Sequence, residues 1–454
     1  MSDLDVVILA AGKGTRMNSD IPKVMHSLAG RPMLAHVIAT ARLLSAHRIV
    51  VVYGHGGEAV KDHFNANDIE FVCQEPQLGT GHAVQQALPV LDANKTLVLY
   101  GDVPLIGAAT LQRLLATEAD LALLTMELSD PGGYGRILRD RNKKITSIVE
   151  EKDATARQRT IREVNTGLLA ADTAGLKRWL TDIRNDNAQG EFYLTDIVAG
   201  AVREKVDVAT ASPDNEFEVL GINSTAQLAR MERIFQWDNA QHLMSQGVTL
   251  ADPARVDVRG TLSCGRDVTI DIGCIFEGNV VLGDHVSLGA HCVIRDSHIG
   301  PGSMILPFCH IDGATIGSNC RIGPYARFRP GNHLADDVRV GNFVEVKATQ
   351  IAEGSKANHL SYLGDSEIGR NVNVGAGTIT CNYDGANKHR TIIEDNVFIG
   401  SDTQIVAPAT IGANSTIGAG STITKDTPEG ELTLSRSKQV TIPGWKRPTK
   451  SKPD

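Results

Sequence analysis

The chain lacks any apolar run long enough to cross a bilayer. Its longest runs, such as Val6 to Ala11, fall far short of the ~20 residues that a spanning helix needs. It also lacks an excess of positive charge: 45 Lys and Arg stand against 53 Asp and Glu, a net charge of −8. No overall basic field is present to recruit nucleic acid or anionic lipid. A secretory leader is not expected either, because MSDLDVVILAAG is acidic and enters a strand-like run at once. The expectation is a soluble cytoplasmic protein with no membrane span and no nucleic-acid partner. Cysteine is sparse and unpatterned. Cys73, Cys264, Cys274, Cys292, Cys309, Cys320 and Cys381 make an odd number with no Cys-x-x-Cys pair. That argues against a disulfide framework and against a zinc site built from paired cysteines, and leaves most of them as small buried hydrophobes.

What is present divides into two periods. The 454 residues suggest two to four domains at ~100–200 residues each. Over residues 1–225 short β-branched runs alternate with amphipathic stretches. Val6–Ala10, Ile49–Tyr53, Ile69–Cys73, Thr96–Tyr100 and Leu121–Met126 read as strands; Pro32–Ser45, Gly81–Leu91 and Thr110–Ala119 read as helices. Such alternation signals βαβ units in a mostly parallel sheet, with ligands bound beyond the carboxyl ends of the strands. Residues 226–246 read as a linker helix stopped by Gly247.

Residues 247–454 read as a second domain, and from Phe276 to Ile423 an aliphatic or aromatic residue recurs, mostly every six positions. The register runs through Phe276, Leu282, Leu288 and Ile294, then Ile316, Ile322 and Phe328, and ends on Ile411, Ile417 and Ile423. A six-residue period fits the flat faces of a parallel β-helix, with the apolar residue inward and three faces per coil. One step is too long. Thr380 to Ile393 carries an excess that reads CNYDGANKHR, a loop expelled from the solenoid where binding residues are commonly mounted. The chain closes on a basic tail with Lys438, Lys446, Arg447, Lys450 and Lys452 against the single acid Asp454. A solvated tail and a screen for a ligand's phosphates both remain open readings.

The loop after the first strand reads LAAGKGTRM, followed by Pro22-Lys23. Gly12 and Gly14 let backbone N–H groups approach an anion, and Arg16 and Lys23 add charge that neutralises phosphate. No Gly-Lys-Ser/Thr closes a Walker loop, and Met17 stands where a dinucleotide fingerprint needs its third glycine. Taken whole, L-A-A-G-K-G-T-R-M-x5-P-K resembles the signature of the sugar nucleotidyltransferases. Together with the hexapeptide solenoid, the chain resembles the bifunctional N-acetylglucosamine-1-phosphate uridyltransferase / glucosamine-1-phosphate acetyltransferase family of bacteria. The likeness runs nearly end to end through QLGTGHA at Gln77–Ala83, YGDVPL at Tyr100–Leu105, GYGRI at Gly133–Ile137, NHLSYLGD at Asn358–Asp365 and NVGAGTITCNYDG at Asn373–Gly385.

The resemblance implies a Rossmann-like α/β nucleotidyltransferase domain with a mostly parallel sheet, then a left-handed parallel β-helix of hexapeptide repeats. It implies UTP and acetyl-CoA as co-substrates, Mg²⁺ as cofactor and a homotrimer acting on small molecules. Leu9, Ala10, Ala11, Gly12 and Lys23 would hold the nucleotide, with Gln74, Gly79 and Thr80 reading the uracil. Tyr100, Gly101 and Asp102 would line the same site, and Asp102 with Asn223 would bind magnesium. Asn223 is assigned through EVLGINS, where Glu218-Val219-Leu220 departs slightly from the family pattern. Arg16 and Lys23 would act as catalytic cations, and Gly135, Glu150 and Asn165 would hold the sugar. In the second half His359 is implied as general base, suited to it because imidazole titrates near neutral pH. Arg329, Lys347, Tyr362 and Asn373 would bind the sugar phosphate. Ala376, Asn382, Tyr383, Ser401, Ala419 and Arg436 would contact acetyl-CoA. The product, UDP-N-acetylglucosamine, supplies cell-wall precursors. Two rivals remain: a single-function nucleotidyltransferase with a scaffolding solenoid, and a nucleotide sensor with a rigid binding module.

Overall fold

The computed structural model describes residues 3–12, 14–54 and 57–450. Lys13 in the glycine-rich loop, and Lys452 and Asp454 in the basic tail, lie outside the described residues. The chain divides into two compact units between Phe235 and Gln236.

The first unit is an α/β sheet. In chain order its main elements are β1 (Leu4–Ala10), α1 (Met33–Leu43), β2 (Arg48–Gly54), β3 (Ile69–Gln74), α2 (Thr80–Ala87), β4 (Lys95–Tyr100), α3 (Ala108–Leu115) and β5 (Leu121–Glu127). There follow β6 (Gly135–Arg139), β7 (Ile145–Val149), β8 (Glu163–Asp172), α4 (Thr173–Thr181), α5 (Ile197–Arg203) and β9 (Val208–Ala211); α6 (Thr225–Ser245) contains the boundary between the two units. The strand order is β9–β5–β8–β4–β1–β2–β3. β1 lies between β4 and β2, parallel to both, and every one of its residues is buried. That is why it reads as an unbroken apolar run rather than an alternating one. α1 buries Met33, Leu34, Val37, Ile38 and Ala41, the three-and-four spacing that puts one helix stripe against a sheet.

β8 runs antiparallel to both β4 and β5, and the β6–β7 hairpin hangs from it. These strands stand outside the βαβ alternation because hairpin and loop connections, not crossover helices, join them. The parallel core still sends the carboxyl ends of β1, β3 and β4 to one edge, where the loops that follow them meet.

The second unit is a parallel solenoid. Its strands are two to nine residues long and pair in register coil upon coil, as in Leu288↔Ile305, Ile305↔Ile322, Ile322↔Val340 and Val340↔Ala357. The six-residue register is the interior: Phe276, Ile294, Ile311, Phe328 and Val346 are all buried, and so is Thr380, where the period continues through a polar side chain. Thr380 is accommodated because its hydroxyl donates to the Gly364 carbonyl at 3.1 Å. Cys274, Cys292, Cys309 and Cys320 are buried in this unit; Cys264 and Cys381 are half-buried, Cys73 in the first unit is exposed, and all seven are free thiols.

One corner of the solenoid positions the second site. His291, Phe308, Tyr325, Phe343 and Leu360 occupy the left-handed backbone region on successive coils, with φ between +50° and +62°. Each bears a strain of ~1–2 kcal/mol. The first four rings stack with centroids 5.3, 4.9 and 5.3 Å apart, which offsets part of it. Above Leu360 the same corner continues through Gly377 (φ +78°), Asp402 and Gly420 (φ +73°), where the bulky side chains stop.

Candidate active sites

A cleft of about 460 Å³ opens at the carboxyl edge of the first sheet. Leu9, Ala10, Ala11, Gly12, Lys23, Gln74, Gly79, Thr80, Tyr100 and Asp102 line it. Backbone bonds tie its walls together: Gly101 N–H donates to the Leu9 carbonyl at 2.9 Å, and the Gln74 amide donates to the Gly79 carbonyl at 2.9 Å. Gly14 adopts φ +60°, and a Cβ there would come within 2.8 Å of the Lys23 Cβ. The glycine is thus what lets the loop close over Lys23.

At the rim Lys23, Arg16, Asp102 and Asn223 converge. The Lys23 ammonium donates to Asn223 Oδ1 at 2.5 Å and pairs with Asp102 Oδ2; Arg16 donates to the same Asn223 oxygen at 3.0 Å. Ile222 N–H bonds the Asp102 carbonyl at 2.9 Å, so the segment before α6 is held against the end of β4. Two side-chain oxygens, one anionic, thus meet at Lys23, and Arg16 shares the Asn223 oxygen. A hard-oxygen pair of this kind fits Mg²⁺, which commonly takes one or two protein oxygens and completes its shell with water and phosphate.

A smaller pocket of about 240 Å³ continues past Thr80 and Tyr100, lined by Gly135, Glu150 and Asn165 together with Tyr193 and Thr195. Burial pushes the Glu150 carboxyl up, against the Thr195 hydroxyl that donates to its Oε1 at 2.9 Å. Burial likewise pushes the Tyr100 hydroxyl up, with the nearby Glu150 and Asp102 charges adding to it. The pocket binds carboxylate and hydroxyls close together, an arrangement suited to the hydroxyls of a sugar.

In the second unit the Lys347 ammonium donates to both carboxylate oxygens of Asp365, at 3.0 and 2.9 Å. Asn382 donates to the same carboxylate and, at 3.3 Å, to the Tyr362 hydroxyl. Burial acts to raise the Asp365 pKa, but the bonds from Lys347 and Asn382 outweigh it and the net shift is downward. Lys388 sits close enough that Lys347 pushes its ammonium below the ordinary lysine range. Arg329 also faces this group, 3.5 Å from Glu345. Three cations gathered with two carboxylates, Asp365 and Glu345, leave a surplus of positive charge, which suits a phosphate dianion.

His359 stands at the corner already described, its Nδ1 3.0 Å from the Asn342 Oδ1. With the amide oxygen accepting, the ring proton sits on Nδ1 and the Nε2 lone pair is available as a base. Ala376, Ser401, Ala419 and Arg436 follow along the same corner. The Ala376 carbonyl accepts from Asp402 N–H at 2.7 Å, that of Ser401 from Gly420 N–H at 2.8 Å, and that of Ala419 from the Arg436 guanidinium at 2.8 Å. Coils rise ~4.8 Å each, so this line runs roughly 20 Å from His359 to Arg436. Not every expected residue joins these groups. Asn382 belongs with Lys347 and Asp365 rather than on the corner, and Tyr383 is exposed on the expelled loop, its hydroxyl donating to Gly385. Asn373 pairs with Lys356 and Phe398 on a different face from Lys347 and Tyr362.

Residues 6–161 match the MobA-like NTP transferase domain, residues 390–425 the bacterial transferase hexapeptide (six repeats), and residues 258–352 the GMPPB C-terminal domain. A bifunctional protein GlmU of Azoarcus sp. (strain BH72) is 61% identical over 452 residues, covering 99% of this chain and all of the relative. That of Ralstonia nicotianae is 61% identical over 454 residues, with 99% and 100% covered. The chain belongs to the GlmU family of bifunctional proteins. A third GlmU, from Cupriavidus pinatubonensis, is 61% identical over 450 residues, covering 98% of this chain and 99% of the relative. As a member of this family the chain is a transferase with a nucleotidyltransferase domain and a hexapeptide-repeat transferase domain. No helix among the described residues is long and apolar enough to cross a membrane.

Several residues of this GlmU-family chain that shape the sites were not read from its sequence. Gln77 donates to the Ala11 carbonyl at 2.5 Å, fixing the loop over the cleft. Thr195 holds Glu150, Asn342 holds His359, and Asp365 holds Lys347. Lys388 had a signal: it sits in the expelled loop, and an antiparallel bridge from Tyr383 to Lys388 turns that loop back toward the solenoid.

Proposed function

We propose that the chain makes UDP-N-acetylglucosamine in two steps at two separate sites. In the second unit the amine of glucosamine 1-phosphate attacks the thioester carbonyl of acetyl-CoA. The N–C bond forms, the C–S bond breaks, the amine proton passes to Nε2 of His359, and the leaving sulfur takes a proton as coenzyme A. Lys347, Lys388 and Arg329 hold the phosphate, with Tyr362 beside it. The corner from Ala376 to Arg436 takes the coenzyme: its glycines at 377 and 420 let an extended ligand lie close to the backbone.

In the first unit a phosphate oxygen of N-acetylglucosamine 1-phosphate attacks the α-phosphorus of UTP and expels pyrophosphate. Leu9 to Gly12 cradle the nucleotide, and Gln74, Gly79 and Thr80 meet the uracil. Gly135, Glu150 and Asn165 orient the sugar. Lys23 and Arg16 offset charge as it moves onto the leaving pyrophosphate, which is what this chemistry chiefly requires of a protein. Mg²⁺, held by Asp102 and Asn223, would add to that charge neutralisation. The convergence of Lys23, Arg16, Asp102 and Asn223 at the rim of the cleft is the observation that carries this reading.

The enzyme acts in the cytoplasm as a homotrimer. Exposed Phe308, Tyr325, Phe343 and Leu360 support self-association. The separation of Asn373 from Lys347 supports an acetyltransfer site completed by a second copy. Asp102→Ala is expected to abolish pyrophosphate release while thiol release continues, and His359→Ala to do the reverse. Pyrophosphate release at the parent rate in Asp102→Ala refutes the first site.

A further inference from the structure

A second constellation of ligating side chains lies at the opposite edge of the first sheet. Asp5 is near the start of β1, His47 immediately precedes β2, and Asp92 lies in the turn before β4. Five residues of strand, roughly 17 Å at ~3.3 Å each, separate Asp5 from Ala10 at the cleft. None of the three lines that cleft.

Each carboxylate has one oxygen fixed and the other turned to the same ring nitrogen. Asp5 is fully buried, and its Oδ2 accepts the Asp92 and Ala93 N–H groups at 2.9 and 3.0 Å. Asp92 Oδ2 accepts from Arg48 at 3.2 Å. The remaining oxygens, Asp5 Oδ1 and Asp92 Oδ1, both stand 3.3 Å from His47 Nδ1. The His47 backbone is pinned in turn, its N–H donating to the Leu4 carbonyl at 2.8 Å. All three ligand atoms lie within 4.8 Å of one another.

We propose that Asp5, His47 and Asp92 bind a divalent metal ion of the zinc class. An imidazole carries at most one proton on Nδ1, so it cannot bond both oxygens well, and its bond to Asp5 Oδ1 at 3.3 Å is longer than the usual ~2.7–3.2 Å. The same separation matches the edge of a tetrahedral shell: bonds of about 2.0–2.2 Å set neighbouring ligand atoms about 3.3–3.6 Å apart. The local charge also calls for a dication. The carboxylates Asp5, Asp92 and Glu70 outnumber the nearby cations, Arg48, which bonds both Asp92 and Glu70, and Lys177, whose ammonium donates to the Leu91 carbonyl at 2.9 Å. One imidazole nitrogen with two carboxylate oxygens suits zinc, with cobalt or nickel as substitutes; magnesium prefers oxygen alone. The Asp92 side chain is more than half exposed, so it can turn to close the shell and water can complete it. The bound ion ties together the starts of β1 and β2 and the turn before β4, and so stabilises the first unit without touching its cleft.

The test is calorimetric titration of zinc chloride into the full chain carrying Asp102→Asn, so that the cleft's own oxygen pair contributes little. His47→Ala and Asp92→Asn are added separately to that background; both side chains reach the surface and neither is needed for the core. One zinc event is expected, weakened at least tenfold by each substitution. X-ray absorption should find an imidazole nitrogen at about 2.0–2.1 Å in the parent and not in His47→Ala. Zinc at a hundredfold excess over the parent's dissociation constant should raise the melting temperature of the first unit by roughly 5–10 °C in the parent and by about half that or less in each variant. Equal zinc affinity and equal melting shifts in the parent and both variants, or no zinc binding in the parent, overturn the proposal.

Discussion

The Lys23 ammonium lies 2.5 Å from Oδ1 of Asn223, 200 positions away in the chain, while pairing with Asp102. The glycine-rich loop, the end of β4 and the segment before α6 thus meet at one cation. Lys23→Ala removes that cation from Asp102 and leaves Asn223 with Arg16. A fall of roughly 100-fold or more in kcat/KM for uridylyl transfer is expected, the usual cost of losing one preorganised charge at a reacting phosphate. Acetyl transfer, measured on the same sample by thiol release, should hold its parent rate.

Glu150 predicts a pH dependence. Burial raises its folded pKa above that of the unfolded chain, so between those values the folded state holds the extra proton. Its contribution to stability is full below the unfolded pKa and is lost as pH rises through the folded one. Sugar hydroxyls donate to the ionised carboxylate, so KM for N-acetylglucosamine 1-phosphate should fall as pH rises through that raised value. Glu150→Gln should flatten this trend in steady-state assays and make the first unit less sensitive to pH above the ordinary carboxylate range.

Asn342 acts on His359 through the ring proton. Its amide oxygen, 3.0 Å from Nδ1, favours the tautomer with Nε2 free. His359→Ala should cost acetyl transfer about 10²–10⁴-fold, the range for a general base. Asn342→Ala should cost less and shift the midpoint of the kcat pH profile. An unchanged profile would remove Asn342 from this role.

Lys388 bears on substrate affinity. It lies beside Lys347 and Arg329 in the group proposed to hold the sugar phosphate, and a charge-assisted bond to phosphate is worth ~1.5–3 kcal/mol. Lys388→Ala should therefore raise KM for glucosamine 1-phosphate by roughly 10- to 100-fold, with a smaller change in KM for acetyl-CoA.

Phe328 tests the solenoid core. It is buried in register with Ile311 below and Val346 above. Phe328→Ala should destabilise the second unit by about 3–5 kcal/mol in denaturant unfolding.

The solenoid was legible because one physical demand repeats. An inward residue is required at every sixth position, so Phe276, Ile299, Val340 and Ile417 announce the interior without any long-range information. The β1–β4 core was legible for a similar reason: strands buried on both faces are written as continuous apolar runs. β8 was not, because its place between β4 and β5 depends on hairpin geometry that leaves no periodic trace. The same division holds at the sites. Lys23, Asp102 and His359 sit in strings whose spacing is distinctive. Asn342, Asp365 and Thr195 act only through a neighbour that the fold brings to them, 17 or more residues away in each case. Lys388 fell between, inside a loop that the repeat marked as unusual but whose return toward Lys347 only the folded chain fixes.

The most direct test of two sites acting in series is one coupled assay on purified protein. Glucosamine 1-phosphate, acetyl-CoA, UTP and Mg²⁺ are supplied, and free thiol and pyrophosphate are followed separately. Thiol release should come first, with pyrophosphate appearing only when acetyl-CoA is present. Pyrophosphate formed solely from pre-acetylated sugar, with no thiol released under any condition, would contradict the account and reduce the solenoid to a scaffold.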